Sequence, residues 1–200
     1  MTLKTELTNL EQKNFKSGFK KSLRELTENF KMDYKKYKKF YEDWKYYHSE
    51  FLFVALTYHH LLKALEPYLQ PFVRIQFESV KVSRGRKKLD LVVLKKFSVP
   101  KPRKKEIKIK LLVAAEFKLE FGGVDLSKLI ETYKNDFTKL EKEGRICDKY
   151  FVLIHMKESD KDSKKRQISE LKKKIKKKYK QYRGINLFYV TPNYYLEKKL

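Results

Sequence analysis

Hydrophobic residues recur at two different spacings along the chain, and each spacing predicts a different secondary structure. In residues 5–40, apolar side chains lie three or four positions apart, which is the period of one helix face. Residues 24–66 contain no glycine or proline, so this region predicts one long helix or two helices in sequence. The segment 49–66 is the clearest, because Ser49 can cap it and Pro67 follows its end.

From Phe72 onward the hydrophobic period shortens to about two, which is typical of strands, and helices then alternate with strands. Short connections join the first three strands, so we expect these to be antiparallel, whereas helices between the later strands allow parallel pairs. The predicted elements are strands at 72–82, 87–94 and 106–121, a helix at 126–140 capped by Asp125, a strand at 149–156, a basic helix at 159–182 and a last strand at 185–192. This order predicts an α/β fold with a mixed β-sheet flanked by helices.

Composition indicates a folded domain with a polyanionic partner. Of the 200 residues 41% are hydrophobic, with 14 Tyr and 14 Phe, which is enough for a core. The formal charge is +24, from 49 Lys+Arg against 25 Asp+Glu. Nucleic acid is the most direct explanation, because each neutralised phosphate releases counterions. A lysine-rich proteome, as in some heat-loving organisms, is the alternative explanation.

The same composition argues against secretion and membrane insertion. The N-terminus has no apolar signal segment, and the longest apolar run, residues 51–56, is too short to span a bilayer. The single cysteine, Cys147, excludes an intrachain disulfide and a cysteine-based zinc site. We therefore expect an intracellular, cytoplasmic protein with no membrane partner.

Residues 111–121 contain the feature that points to chemistry, because charges interrupt an apolar strand at every second position. Successive side chains of a strand point to opposite faces, so one face is apolar and the other becomes charged toward its C-terminal end. The apolar face comprises Val113, Ala115, Phe117, Leu119 and Phe121, and the other face Leu112, Ala114, Glu116, Lys118 and Glu120. Charges beside a core are costly unless they are paired or bound to a metal.

Asp90 is the only charge between Leu89 and Leu94 in a neighbouring strand, so Asp90 and Glu116 could share one Mg²⁺ ion. A divalent metal activates water and neutralises phosphate charge, which is what hydrolysis of a phosphodiester requires. Lys118 could orient that water or offset developing charge. The Glu-x-Lys spelling also occurs elsewhere in this lysine-rich chain, but only the copy at Glu116 lies in an apolar strand before a helix.

The order of these motifs resembles the PD-(D/E)xK nuclease superfamily, which has the restriction-endonuclease-like fold. The resemblance covers residues 45–192 and implies that Asp90, Glu116 and Glu50, on the preceding helix, hold Mg²⁺, or Mn²⁺ in its place. It also implies that Lys118 acts near the attacking water. The chain departs from the family pattern in having Leu89 before Asp90 instead of proline, and in a long linker between the second and third strands.

On this resemblance we expect an N-terminal helical extension, residues 1–44, and a nuclease-like core, residues 45–200. The expected function is metal-dependent hydrolysis of phosphodiester bonds, with DNA favoured over RNA on family grounds. The alternative is a non-catalytic nucleic-acid-binding protein with the same fold. Many members act as dimers, so a homodimer fits, with the N-terminal helices adding a dimerisation or substrate-binding surface.

Each candidate residue also has a purely structural interpretation. Glu116 and Lys118 could form a solvated ion pair, Asp90 could pair with Lys88, and Glu50 could be a favourable charge at a helix N-terminus. The remaining candidates are Glu120, which a nearby lysine could pair, Tyr133 and Lys128, which could approach the site or simply belong to their helix, and His59 and His60, for which a partly buried structural role is expected.

Two segments concentrate the positive charge. Residues 81–110 contain 13 basic and 2 acidic residues, and residues 157–183 contain 13 basic and 4 acidic residues. These segments could line a groove that follows nucleic-acid phosphates, which would give affinity and register without reading bases. The alternative for the helix in the second segment is an ordinary solvated face.

Overall fold

The computed structural model describes only part of the chain: residues 17–21, 23–25, 27–29, 31–32, 59, 73–79, 89–100, 105–142 and 147–200. Several predictions lie outside these residues. They concern Glu50, His60, Lys88 and the domain boundary at residue 45.

A mixed sheet forms the centre of the described structure and confirms the predicted α/β class. Its six strands lie in chain order: β1 (Val73–Ser79), β2 (Leu89–Pro100), β3 (Lys105–Glu120), β4 (Asp148–His155), β5 (Asn186–Val190) and β6 (Tyr195–Lys199). The first three strands are antiparallel, β3–β4 and β4–β5 are parallel, and β5–β6 is antiparallel. The expected division into an antiparallel meander and parallel later strands is therefore confirmed.

Helices connect the parallel strands and pack on one face of the sheet. Between β3 and β4 a 3₁₀ turn (Leu126–Lys128) leads into α1 (Leu129–Thr132) and α2 (Lys134–Lys142), and α3 (Lys161–Lys177) connects β4 to β5. Asp125 caps the 3₁₀ turn by accepting from the Ser127 N–H at 2.9 Å, as predicted. The prediction of one continuous helix was wrong, because the backbone of Tyr133 leaves the helical region (φ −115°, ψ 36°).

Two hydrophobic cores lie on the two faces of the sheet. Helical residues 17–21, 23–25, 27–29 and 31–32, here called the N-terminal helical segment, cover the first core through fully buried Phe19 and Leu23. Helices α1, α2 and α3 cover the second core, with Phe137 and Leu171 fully buried. The N-terminal helical segment therefore contributes directly to the core, and Arg24 also bonds Glu197 of β6 at 3.3 Å.

A β-bulge in β3 corrects the predicted face of one residue. The register pairs Val93 with Val113 but Leu94 with Leu111, so Leu112 is an extra residue in β3. Leu112 and Val113 consequently both lie in the first core, whereas Leu111 and Ala114 lie in the second. The expectation that Leu112 shares a face with Glu116 was wrong, because strict alternation breaks at the bulge.

Two strand predictions also needed correction. The linker between the second and third strands is short, since β2 continues to Pro100 and β3 begins at Lys105.

The last strand is β6, not β5, and the sequence prediction missed it. Thr191 forms the connecting turn, donating its N–H to the Tyr194 carbonyl at 2.9 Å and accepting from the Tyr194 N–H at 3.1 Å. Pro192 and Asn193 between them are typical turn residues.

Candidate active site

Glu116 lies on β3, on the sheet face that α1, α2 and α3 cover, and is fully buried. Lys139 of α2 donates to Glu116 Oε2 at 2.8 Å and contacts Asp136 Oδ1 at 2.9 Å. Lys118 Nζ lies 3.8 Å from Asp136 Oδ2. With Asp90 these side chains form a compact group of alternating charge, which we call the carboxylate cluster (Asp90, Glu116, Lys118, Asp136 and Lys139).

Asp90 joins this cluster from β2. Leu91 pairs with Ala115, so one further step along the two antiparallel strands brings Asp90 beside Glu116. The Phe117 N–H donates to Asp90 Oδ2 at 2.7 Å, which fixes the carboxylate against the backbone of β3. The sequence prediction that residues 90 and 116 converge from neighbouring strands therefore agrees with their placement.

Glu116 is strongly perturbed by its surroundings. Burial, and next the negative charge of Asp90, raise the pKa of Glu116 from 4.5 to about 8, although Lys139 acts in the opposite direction. Its Oε1 atom is buried and has no hydrogen-bond partner among the residues that the structure describes. An unsatisfied buried carboxyl oxygen is uncommon in folded proteins and requires an explanation.

Lys139 remains protonated next to this carboxyl group. Burial by itself lowers the pKa of Lys139, but the hydrogen bonds and charges of Glu116 and Asp136 together raise it above its ordinary value. The structural alternative for these residues, a solvated Glu116–Lys118 ion pair, was wrong in both respects. Glu116 is buried, and the cation that contacts it is Lys139.

The chemistry of these side chains fits a divalent cation. A cation between Asp90 and Glu116 would give Glu116 Oε1 a partner and would offset the repulsion between the two carboxylates. Mg²⁺ typically binds through one or two carboxylates and completes its shell with water and substrate phosphate. Within the described residues no group of three or more potential metal ligands occurs, and Glu50 lies outside them.

Glu120 and Tyr133 meet beside the cluster. The Tyr133 hydroxyl donates to Glu120 Oε1, so Glu120 has a tyrosine partner where a lysine was expected. The Tyr133 ring also packs against the second core, with its centroid 5.4 Å from that of Phe151. Tyr133 thus belongs to the hydrophobic stripe of its helix and still reaches the charged end of β3, whereas Lys128 is exposed.

Neither of the two histidines that the structure describes, His59 and His155, belongs to the carboxylate cluster. His59 is exposed, which contradicts its expected partly buried role. His155 at the end of β4 is buried and bonded at both ring nitrogens, to Gly122 O and to Tyr189 Oη, each at 2.8 Å. Because a carbonyl can only accept, Nε2 carries the proton and Nδ1 accepts from Tyr189. Burial lowers the pKa of His155, so this neutral tautomer is a structural element.

Sequence reasoning missed Asp136 and Lys139. A local signal exists, because the two residues lie three positions apart on the helix after Glu-x-Lys, flanking buried Phe137. That spacing places them beside the buried stripe, facing the sheet.

Comparison of the chain with protein-family models, curated proteins and solved structures gives no match. Within the described part of the chain, no helix combines the length and the apolar character needed to cross a bilayer.

Proposed function

We propose that this protein is a metal-dependent nuclease with a restriction-endonuclease-like core, related to the PD-(D/E)xK superfamily. The observation that carries the proposal is the state of Glu116. It is fully buried beside Asp90, its pKa is raised, and one of its oxygens has no hydrogen-bond partner in the described part of the chain. The order of elements supports it. An antiparallel meander bears the two carboxylates, and a helical crossover then leads to a parallel strand, as the family resemblance implies.

In this proposal Asp90 and Glu116 hold Mg²⁺ or Mn²⁺, with Glu50 as a further ligand. When bound, the cation supplies Lewis-acid polarisation of the scissile phosphate and lowers the pKa of a coordinated water. Lys118 holds the attacking water or offsets charge on the phosphate, and Asp136 positions its ammonium. Burial of Glu116 keeps water away from its carboxylate, which strengthens its interaction with a cation.

DNA is proposed as the substrate over RNA on the resemblance alone, and the positive charge of the chain supports a nucleic acid of either kind. Homodimerisation through residues 1–44 remains part of the same proposal.

Cleavage assays with isosteric variants test this proposal. Plasmid and branched DNA are incubated with Mg²⁺ and wild type, Asp90→Asn, Glu116→Gln or Lys118→Met. Loss of a ligand or of the positioning amine is expected to reduce the rate by about 100-fold or more. Glu170→Gln is the matched control, because Glu170 is exposed on α3 outside the cluster. Equal activity in the wild type and all four variants rejects the assignment of roles.

A non-catalytic nucleic-acid-binding protein is the second candidate, and one observation favours it. Lys139 already contacts Glu116 at 2.8 Å, so Glu116 has a cationic partner without a metal. This candidate predicts DNA binding without cleavage, unchanged in Asp90→Asn. It also predicts that Mg²⁺ does not change the thermal unfolding temperature of the wild type. A cation that binds only the folded state, as the nuclease proposal requires, raises that temperature.

A further inference from the structure

A second charged region lies along α3, away from the carboxylate cluster. The C-terminal half of α3, the turn after it and the end of β6 enclose an open groove of about 850 Å³. Of the nine described residues that line it, none is acidic and five are cationic: Lys172, Lys173, Lys176, Arg183 and Lys199. We call this region the basic groove.

Regular secondary structure places these cations on a defined surface. Lys176 lies four positions after Lys172 and three after Lys173, so all three lysines lie toward one side of α3, which the buried Ile175 anchors to the second core. Arg183 donates to the Lys176 carbonyl at 3.0 Å, so its guanidinium is held at the end of the helix. Gly184, with φ +91°, turns the chain into β5 and donates to Leu200 O at 2.9 Å.

Three other lysines of α3 have partners, which distinguishes them from the lysines of the basic groove. Lys164 donates to Val124 O, Lys165 pairs with Asp162 at 2.8 Å, and Lys174 donates to Ser127 O at 2.8 Å. Within the part of the chain that the structure describes, no acidic side chain pairs with the four lysines of the groove. Like charges crowded together without counter-charges repel, and a polyanion relieves that repulsion.

The strand register relates the basic groove to Glu116. Lys199 pairs with Asn186, Asn186 with Tyr150, and Tyr150 with Ala115, the neighbour of Glu116. Three steps between strands amount to about 15 Å, which is less than one turn of a DNA duplex, roughly 34 Å. One duplex is therefore long enough to contact both regions.

We propose that the basic groove binds the phosphodiester backbone of double-stranded DNA, as a contact surface separate from the carboxylate cluster. The choice of DNA rests on the proposed nuclease function, and the choice of a polyanion rests on the clustered cations without acidic neighbours. A membrane surface fits less well, because none of the described residues that line the groove is an exposed large hydrophobic side chain. Among the described residues, Met32 is the only large hydrophobic side chain that is exposed, and it does not line the groove.

Salt-dependent DNA binding tests the proposal. Binding of a labelled duplex to the full chain is followed by fluorescence anisotropy in EDTA, which prevents metal-dependent cleavage. The groove variant carries Lys172→Gln, Lys173→Gln and Lys176→Gln. Its matched control carries Lys165→Gln, Arg166→Gln and Lys177→Gln, three exposed residues of the same helix outside the groove. Both variants remove three positive charges, so only position distinguishes them.

The groove variant is expected to bind the duplex at least about tenfold more weakly than the control. Its log–log salt dependence should be shallower by about 0.9 for each phosphate that the protein no longer neutralises. An equal decrease in affinity in the two variants overturns the proposal. Stronger binding of the wild type to anionic phospholipid vesicles than to DNA also overturns it. Should the triple variant fail to fold, Lys173→Glu is compared with Lys177→Glu, and the same order of affinities is expected.

Cleavage measured on the same variants separates this proposal from the nuclease assignment. Mg²⁺-dependent cleavage by a groove variant with unchanged DNA binding rejects the groove and keeps the nuclease. A groove-specific decrease in binding, with a wild type that never cleaves, rejects the nuclease and keeps the groove.

Discussion

Lys139 in the carboxylate cluster and Lys173 in the basic groove are lysines on neighbouring helices of one sheet face, yet their surroundings are opposite. Lys139 has 20% of its side chain exposed and contacts two carboxylates within 3 Å, at 2.8 and 2.9 Å. Lys173 is exposed and lines a groove without an acidic residue. The two regions should therefore respond to different perturbations: the cluster to pH and to removal of a partner, the groove to ionic strength.

The pH dependence of stability should show the largest difference. Burial and the charge of Asp90 raise the pKa of Glu116 from 4.5 to about 8, so between these values the folded protein keeps a proton that the unfolded chain has lost. The free energy of unfolding in metal-free buffer should therefore fall as pH rises from 4.5 to 8. The Glu116 contribution to that fall is roughly 4 kcal/mol.

Urea denaturation at several pH values measures this contribution as the difference between wild type and Glu116→Gln, which has no carboxyl group to titrate. The triple groove variant should keep the pH dependence of the wild type. Parallel pH profiles in wild type and Glu116→Gln would show that Glu116 ionises normally, and the raised pKa would be wrong.

Removing one cation from each region should give the next largest difference. Lys139→Met leaves buried Glu116 without its ion-pair partner, and we expect the free energy of unfolding to fall by about 2–3 kcal/mol. Lys173→Met removes an exposed lysine without an acidic partner, and a change within about 0.5 kcal/mol is expected. Urea denaturation without metal at about pH 9, where Glu116 with its pKa of about 8 is mostly ionised, compares the two. Similar values for both variants would mean that the Lys139–Glu116 ion pair contributes no net stability.

The carboxylate cluster and the basic groove differ in how much of each can be predicted from the sequence, and the reason is physical. Asp90, Glu116 and Lys118 stand out because a charge in an apolar strand is locally conspicuous, and strand periodicity then places them. Lys139 is one of 49 basic residues, and only the packing of α2 on β3 brings it to Glu116. The basic groove depends on the turn after α3 and on β6, which the sequence prediction missed.

The errors within the fold have a similar origin. A bulge at Leu112 leaves no hydrophobic signature, because an apolar residue suits either core. Strand β6 (YLEKK) has three charged residues among its five, so its hydrophobic signal is weak, although the residues Thr191–Pro192–Asn193 before it are typical of a turn. The turn residues before β6 therefore carry a signal for this strand that hydrophobic periodicity does not give.

Backbone geometry at the groove should contribute a smaller effect. Gly184 has φ +91°, a conformation that side chains disfavour, and a Cβ there would meet no atom within 4 Å. Gly184→Ala should therefore destabilise the protein by about 1 kcal/mol through backbone strain alone. Gly123→Ala is the matched control, because it also has open space and needs no positive φ. Thermal unfolding of both variants measures the difference. Equal melting temperatures would show that alanine at position 184 causes no backbone strain.

The smallest effect is expected from a variant that changes the shape of a side chain in the basic groove and keeps its charge. Arg183→Lys keeps the positive charge but removes the planar guanidinium that donates to the Lys176 carbonyl at 3.0 Å. Stability should change by less than about 1 kcal/mol, since a single exposed hydrogen bond is removed.

Duplex affinity should fall by roughly two- to threefold in Arg183→Lys, because a flexible ammonium is less well positioned against a phosphate than a guanidinium held in place. Anisotropy titrations at fixed salt measure the difference, with Arg166→Lys as the control on the exposed side of α3. Unchanged affinity in Arg183→Lys would mean that the groove attracts DNA through net charge alone, so that its shape adds nothing to binding.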